Sequence, residues 1–346
     1  FMYLQNYYMQ NTPLGYDKDE IIITNMNNNI RKSRDAFASQ VKSFSGIEEV
    51  TYAEMLLSSQ DQYMGWGRKY RDKDIQFQCL PVEPSFLKVM NVKISEGRDF
   101  REEDKAKRYG TFVFNERART EYGLEIGSLI DSMEIVGFMP DVKFASFRTE
   151  VTPMAFFVWG TNNWGNQPNY AYIKVKAGSD LRGAMQHVKT TLQSFDPEYP
   201  FNVRFFDEVL NGLYEKERSL SSLITLFSLI AIFISVVGVF GLVVFDSEYR
   251  KKEIGIRKVL GSTTEEIIVM FNKTYIRILC VCFVLGAPIA GYVVHRWLEN
   301  FAYKTPMYWW VYLIAFAIIA VITILTVTFQ NWRAANENPV HSIKNE

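Results

Sequence analysis

Apolar residues are spread unevenly over this 346-residue chain: short, interrupted runs fill the first two thirds, and three long uncharged runs fill the rest. Residues 219–245 hold no charged side chain, and 18 of those 27 positions are Leu, Ile, Val or Phe. A hydrocarbon core about 30 Å thick needs ~20 helical residues, so this run predicts a membrane-spanning helix. Each such residue favours insertion by about 0.3–0.6 kcal/mol near the helix centre, which sums to several kcal/mol. Residues 278–294 and 305–332 are also uncharged. The middle run is short and contains Pro288, which packed membrane helices tolerate, and Lys273, Arg277 and Arg296 at its ends can snorkel to the headgroups. Tyr308, Trp309, Trp310 and Tyr312 at one end of the last run, with Phe329 and Trp332 at the other, suit the two interfacial levels.

Loop charge predicts the orientation. Residues 246–277 carry seven Lys or Arg, against two in 295–304 and two in 333–346. That excess puts the first loop on the cytoplasmic side. Residues 1–218 then lie outside the cytoplasm and the tail inside. No acid or base sits in the middle of a span, which argues against a proton- or ion-driven carrier. Gly286/Ala290 and Ala287/Gly291 offer close helix contacts, read first as packing within the bundle and second as a dimer face. Residues 1–20 hold no apolar run able to export the large polar block, so an upstream span is expected, with Phe1 to Gln10 as its outward continuation.

The polar part reads as short strands and helices. Strands are predicted at Ile21 to Thr24, Val50 to Ala53, Phe77 to Val82, Thr111 to Phe114, Ile135 to Phe138, Met154 to Val158, Tyr170 to Val175 and Val203 to Phe206. Ile30, Phe37, Val41 and Phe44 share one helical face that ends at Gly46, and a short helix runs from Asn115 to Tyr122. Residues 58–74 read as an exposed loop or hairpin. Leu181, Met185, Val188, Leu192 and Phe195 predict a helix over 180–195, capped by Ser179 or Asp180. The elements alternate without a clean βαβ repeat. The predicted fold class is therefore an α+β extracytoplasmic domain in two subdomains, followed by an all-α bundle of three transmembrane helices. The expected boundaries are 1–206 for the outer domain, 207–218 for a charged helical stalk, 219–332 for the membrane region and 333–346 for a cytoplasmic tail. The stalk, with Glu215, Glu217 and Arg218, is expected to run into the first span as one continuous rod.

Between the first two spans, Glu248 to Thr263 holds five Lys or Arg with apolar residues among them. Tyr249, Ile256 and Leu260 lie near one helical face. Gly261 can end that helix in the left-handed conformation, and Ser262-Thr263-Thr264-Glu265-Glu266 holds S/T-x-x-E pairs that start another. Two helices joined by a glycine turn are predicted at the cytoplasmic surface. Charge alone would also be met by an orientation anchor.

Whole-chain averages hide this segregation: net charge is zero and mean hydropathy is −0.07. No basic surface points to nucleic acid. Cys79 has no disulfide partner in the outer block, since Cys280 and Cys282 fall in a predicted span. The three His residues are scattered and suggest no metal site. Glu102, Glu103 and Asp104 read as a solvated helix start rather than a metal cluster, and Trp159 and Trp164 as an exposed loop over a partly buried ring. No nucleophile–base pair and no G-x-x-x-x-G-K-[ST] phosphate loop is present, so no enzyme and no cofactor is expected.

Lys252-Glu-Ile-Gly-Ile-Arg-Lys-Val-Leu-Gly-Ser262 resembles the coupling segment of the MacB/FtsX-type ABC transporter permeases. Val82-Glu-Pro-Ser-Phe86, Gly97-Arg-Asp-Phe100 with the acids that follow it, Val113-Phe-Asn-Glu116, Ile135-Val-Gly-Phe-Met-Pro-Asp141 and Val151-Thr-Pro153 resemble that family's extracytoplasmic domain, and Asn338-Pro-Val-His-Ser342 its usual ending. The family has four spans per unit, and the one before the outer domain is not in this sequence. The resemblance implies a non-enzymatic permease of a bacterial inner membrane, whose partners are a separate cytoplasmic ABC ATPase subunit, a second permease unit (homodimer or tandem half) and membrane lipids. Residues 250–261 would contact the ATPase through Arg250, Glu253, Ile254, Ile256, Arg257, Lys258, Leu260 and Gly261. Arg257 and Lys258 serve equally well as lipid-facing charges. The implied function is transmission of ATPase-driven motion for export or extraction of a peptide, antibiotic or lipoprotein. The alternative is an FtsX-like regulator that switches an outer envelope partner without transport.

Overall fold

A computed structural model describes residues 1–57, 64–143, 149–162, 168–212 and 214–335. The chain forms two compact units: Asn11–Lys216, and Phe1–Gln10 together with Glu217–Glu346.

The first unit opens after helix α1 (Met2–Asn11) with strand β1 (Ile21–Asn25), helices α2 (Asn28–Lys32) and α3 (Arg34–Lys42), and strand β2 (Ile47–Ala53). The helical face predicted through Ile30, Phe37 and Val41 is divided at Ser33, and Asn27 caps α2 by accepting from the Ile30 amide at 3.0 Å. Next come the hairpin of β3 (Met64–Tyr70) and β4 (Lys73–Pro81), helix α4 (Phe86–Val89), strand β5 (Glu96–Gly97), strand β6 (Thr111–Asn115) and helix α5 (Glu116–Tyr122). The unit continues with β7 (Leu129–Ile130), β8 (Met133–Met139), β9 (Met154–Val158), β10 (Tyr170–Val175), helix α6 (Leu181–Phe195), β11 (Arg204–Phe205) and helix α7 (Phe206–Gly212). Asp180 caps α6, accepting from the Gly183 amide at 3.0 Å.

Two sheets result. One is antiparallel, in the order β11-β1-β10-β2, and α3 and α6 cover its outer face, where Phe37, Val41, Val188 and Leu192 are buried. The other is mixed, in the order β3-β4-β9-β6-β8-β5, with β4–β9 and β6–β8 parallel. Its centre, β9, is buried at every position, as its unbroken apolar run requires of a strand covered on both faces. A shared core of Ile21, Ile23, Leu80, Phe86, Phe156 and Tyr172 joins the sheets, and Ala53 bridges to Val82. These are the two subdomains of the α+β reading.

Charges finish the junction. The buried Glu83 carboxylate receives Arg34 of α3 at 2.9 Å and Lys105 at 2.5 Å, one from each subdomain. The acidic triplet is not wholly solvated as expected. Glu102–Ala106 forms a short 3₁₀ helix in which Asp104 is only 1% exposed. Arg98 grips Asp104 with two bonds of 2.8 Å, and the Arg101 amide donates a third at 2.8 Å. Trp159 packs edge-on against Phe157 at 4.5 Å, inside an aromatic cluster rather than on a ligand loop, while Trp164 lies outside the described residues. Cys79 is buried and free.

The second unit holds α8 (Glu215–Tyr249), α9 (Lys251–Val259), α10 (Thr264–Leu298) and α11 (Trp309–Ala335). Arg218–Asp246, Thr264–Leu298 and Trp309–Trp332 are long and apolar enough to cross a membrane. Of the two small-residue pairs, Ala287/Gly291 packs within the unit: a Cβ at Gly291 would lie 3.2 Å from the Tyr312 hydroxyl of α11, whereas one at Gly286 would meet nothing.

Two expected boundaries move. Residues 1–10 group with the membrane helices, not with the outer domain. The Gln5 carboxamide is fully buried there, donating to the Tyr303 carbonyl at 2.9 Å and accepting from the Thr305 amide at 2.8 Å. The stalk is also not one rod: α7 ends at Gly212, Tyr214 sits in a turn and α8 starts at Glu215. The cause is packing. Phe206, Val209 and Leu210 anchor α7 in the outer core, and Asn211-Gly212 are weak helix formers.

Burial alone would raise the Asp104 carboxyl, but Arg98 and the Arg101 amide outweigh it and hold it below the ordinary carboxylate range. An unfolded Asp titrates near ~3.9, so this stabilisation is complete above that pH and is lost as pH falls through the lower folded value. Arg98→Met should cost about 3 kcal/mol at neutral pH and flatten the acid side of a plot of Tm against pH.

Candidate functional site

The segment between the first two spans is built from its ends inward. At the foot of α8, the Arg250 amide donates to the Asp246 carbonyl at 3.0 Å, and its guanidinium Nε donates to the Asp246 carboxylate at 3.0 Å. The same guanidinium lies 5.9 Å above the Phe271 ring of α10. Arg250, expected among the partner contacts, thus braces the corner between α8 and α9 while 40% of its side chain stays exposed. Beneath it, Val243 of α8, Ile267 and Phe271 of α10 and Val327 of α11 form a buried cluster. The Asn272 carboxamide donates to the Thr328 hydroxyl at 2.9 Å and fixes the level of α10 against α11.

α9 is thereby held at both ends. Its last turn closes on Gly261, whose φ of +97° is the left-handed conformation that glycine alone adopts without penalty. The Ser262 amide donates back to the Arg257 carbonyl at 2.9 Å, the bond that defines a Schellman ending. Thr263 then opens α10 with a reciprocal capping box: Thr263 Oγ1 accepts from the Glu266 amide at 3.3 Å, and Glu266 Oε2 accepts from the Thr263 amide at 3.2 Å. The predicted helix–glycine–helix hairpin is present, with its turn and cap at the expected residues.

What α9 presents follows from this bracing. Gly255 is buried, while Ile256 and Val259 are exposed and Leu260 is 80% exposed, as is most of Tyr249 just upstream. Glu253 and Arg257 pair within the helix at 2.8 Å, both partly exposed. Such a pair is worth only ~0.3–0.5 kcal/mol, so either partner can be recruited by an outside charge at small cost. The side chains of Ile254, Lys258 and Glu217 lie outside the described ones; Glu215 and Arg218 are exposed on α8. Val259 was missed by the sequence reading, although its spacing of three from Ile256 carried the signal. Asp246 and Phe271 were missed as well, and the Asp246/Arg250 spacing of four could have found the first.

The site is an exposed apolar patch with an adjustable ion pair on a short helix. Among the described residues, no metal cluster occurs.

Comparison with known proteins fits this geometry. A family model described as a MacB-like periplasmic core domain matches residues 6–191, and one described as an FtsX-like permease C-terminal region matches residues 225–339. Among curated relatives, the macrolide export ATP-binding/permease protein MacB of Chromobacterium violaceum is 23% identical over 230 residues, covering 63% of this chain and 35% of that protein. MacB of Escherichia coli K12 is 23% identical over 233 residues, again 63% of this chain and 35% of that protein. The chain thus spans about a third of the length of these relatives. Solved structures that align with it include the periplasmic region of MacB from Actinobacillus actinomycetemcomitans, at TM-score 0.42 and 13% identity, covering 58% of this chain and 95% of that one. Another is the extracellular domain of the ABC-type transporter YknZ from Gram-positive bacteria, at TM-score 0.39 and 11% identity, covering 53% of this chain and 99% of that one.

Ile256 is 57% and Leu260 80% exposed. Ile256→Asp and Leu260→Asp should therefore change Tm by less than ~1 kcal/mol equivalent. Gly261→Val should cost more, about 1–2 kcal/mol, because its φ is positive. Thermal unfolding of the three purified variants checks the ranking.

Proposed function

We propose that this chain, which belongs to the MacB/FtsX-type family of ABC transporter permeases, receives work from an ATPase at α9 and passes it through the membrane helices to its outer domain. The reading is carried by one observation: Ile256, Val259 and Leu260 stand exposed on a helix fixed at both ends. A helix so braced cannot absorb a push by bending at its roots. Displacement of α9 is handed to α8 through Asp246 and Arg250 and to α10 through Gly261 and Thr263.

The motor is an ABC ATPase in the cytoplasm; within these 346 residues no glycine is followed by lysine as a phosphate loop requires, so the nucleotide is bound outside them. Exposed Leu, Ile and Val would fill an apolar groove on that partner. Each is worth about 1.5–3 kcal/mol when fully buried. Glu253 and Arg257 would set its register by exchanging their mutual pair for partner charges. The permease works beside a second unit, as homodimer or tandem half, in the inner membrane. Residues 246–277 and the tail face the cytoplasm and the α+β domain faces outward. The relatives named for macrolide export support outward movement of cargo as the task.

The break between α7 and α8 refines the mechanism. α7 is part of the outer body and the helix is interrupted at the Tyr214 turn, so motion of α8 is not handed on along a single rod.

Two measurements test the proposal. Ile256→Asp should weaken association with the ATPase at least tenfold, which is 1.4 kcal/mol, and abolish stimulation of its turnover by the permease. Unchanged association would overturn the docking role. With a membrane-impermeant thiol reagent, Glu102→Cys should label in intact cells and Ile256→Cys only after permeabilisation. Labelling of both from outside would overturn the orientation.

A further inference from the structure

The first two turns of α10 past its buried cluster carry an uncompensated pair of charges. Lys273 and Arg277 are both exposed and lie one helical turn apart. They continue a stripe through Val281, Val284 and Pro288, at spacings of four, four, three and four, and Val284 is 69% exposed. All five stripe positions are exposed, whereas Phe271 and Phe283, on other faces of the helix, pack within the unit; the stripe meets α11 only further along, at Gly291 beside Tyr312, so its Lys273–Val284 part is the lipid-facing side of the helix.

Depth follows from the Asn272–Thr328 bond. Lys273 is next to Asn272, so it stands level with the Phe329 and Trp332 belt of α11. Arg277 lies about 6 Å deeper by helical rise, where the uncharged run begins.

Among the described residues of this unit, no anion stands at that level. α10 holds acids only in its first turn, Glu265 and Glu266; α11 holds none; α8 has none between 219 and 245. Asp246, the nearest acid on α8, is bound by Arg250. An unpaired cation at the edge of hydrocarbon is costly, and at the cytoplasmic surface the available anions are lipid headgroups. Arg277 can offer a planar fork to phosphate oxygens, and Lys273 a flexible point charge one turn above it.

We propose that Lys273 and Arg277 form a binding site for the phosphate of an anionic phospholipid headgroup in the cytoplasmic leaflet. The site rests on the membrane orientation proposed above and adds a ligand to it. A lipid held there is seated two turns from Phe271, the ring under Arg250, so its occupancy stiffens the foot of α10 against which α9 is braced.

The test uses the purified full chain in nanodiscs of phosphatidylcholine, with and without phosphatidylglycerol, read by thermal unfolding. The expected result is a higher Tm in phosphatidylglycerol for the wild type. That increment should be lost in Lys273→Gln/Arg277→Gln, kept in Lys273→Arg/Arg277→Lys and kept in Arg296→Gln at the other end of the helix. Inorganic phosphate added to phosphatidylcholine discs should give no increment. An undiminished increment in the Gln variant overturns the site, and so does an equal increment from inorganic phosphate. If the double Gln variant does not insert, the single Lys273→Gln protein should show a reduced increment, and an intact one overturns the site. Failure of the wild type to enter nanodiscs would instead count against the membrane reading itself.

Discussion

Hydrocarbon holds a charge only at high cost, and the helical unit is organised around that exclusion. No Asp, Glu, Lys, Arg or His occurs between residues 219 and 245, 278 and 294, or 305 and 332. The pairs Asp246–Arg250, Glu253–Arg257 and Arg296–Glu299 accordingly all fall outside these runs. The same exclusion leaves Lys273 and Arg277 at the boundary, where only headgroups can neutralise them. Because the cations are confined to a narrow zone, the helix that carries most of them lies at the membrane surface.

Bracing gives that surface helix mechanical meaning. A short helix of nine residues is marginal by itself. α9 persists because Arg250 ties its start to α8 and α10, while the left-handed Gly261 and the Thr263 capping box tie its end to α10. Ile256, Val259 and Leu260 stand exposed beside this scaffold, so the bracing and the exposed apolar side chains belong to different residues.

The outer domain solves a different problem. It has no disulfide among its described residues and joins two sheets through one shared apolar core. Apolar contact is not directional, so it sets the distance between the sheets but not their angle. Glu83, held by Arg34 and Lys105 from opposite subdomains, adds the direction. Asp104 with Arg98 does the same for the loop that carries Lys105. These paired charges, with Glu83 and Asp104 buried, give the domain a defined shape.

The spans, the glycine turn, the capping box and most strands were legible in the sequence because each rests on local physics. Length and apolarity suffice for a span, positive φ for Gly261, and a three-residue spacing for Thr263 and Glu266. Strands β6, β8, β9 and β10 announced themselves as apolar runs. β3 stayed ambiguous because Gly65 and Gly67 interrupt its pattern, and only pairing with β4 makes it a strand. Tertiary structure alone decided the rest. It set the Arg250 guanidinium over Phe271, 21 positions away in sequence. It buried Asp104 because Arg98 closes over it, and it broke the stalk because α7 packs into the outer core. In each case the deciding contact joins residues whose distance in space is set by the whole fold, and no local pattern encodes that distance.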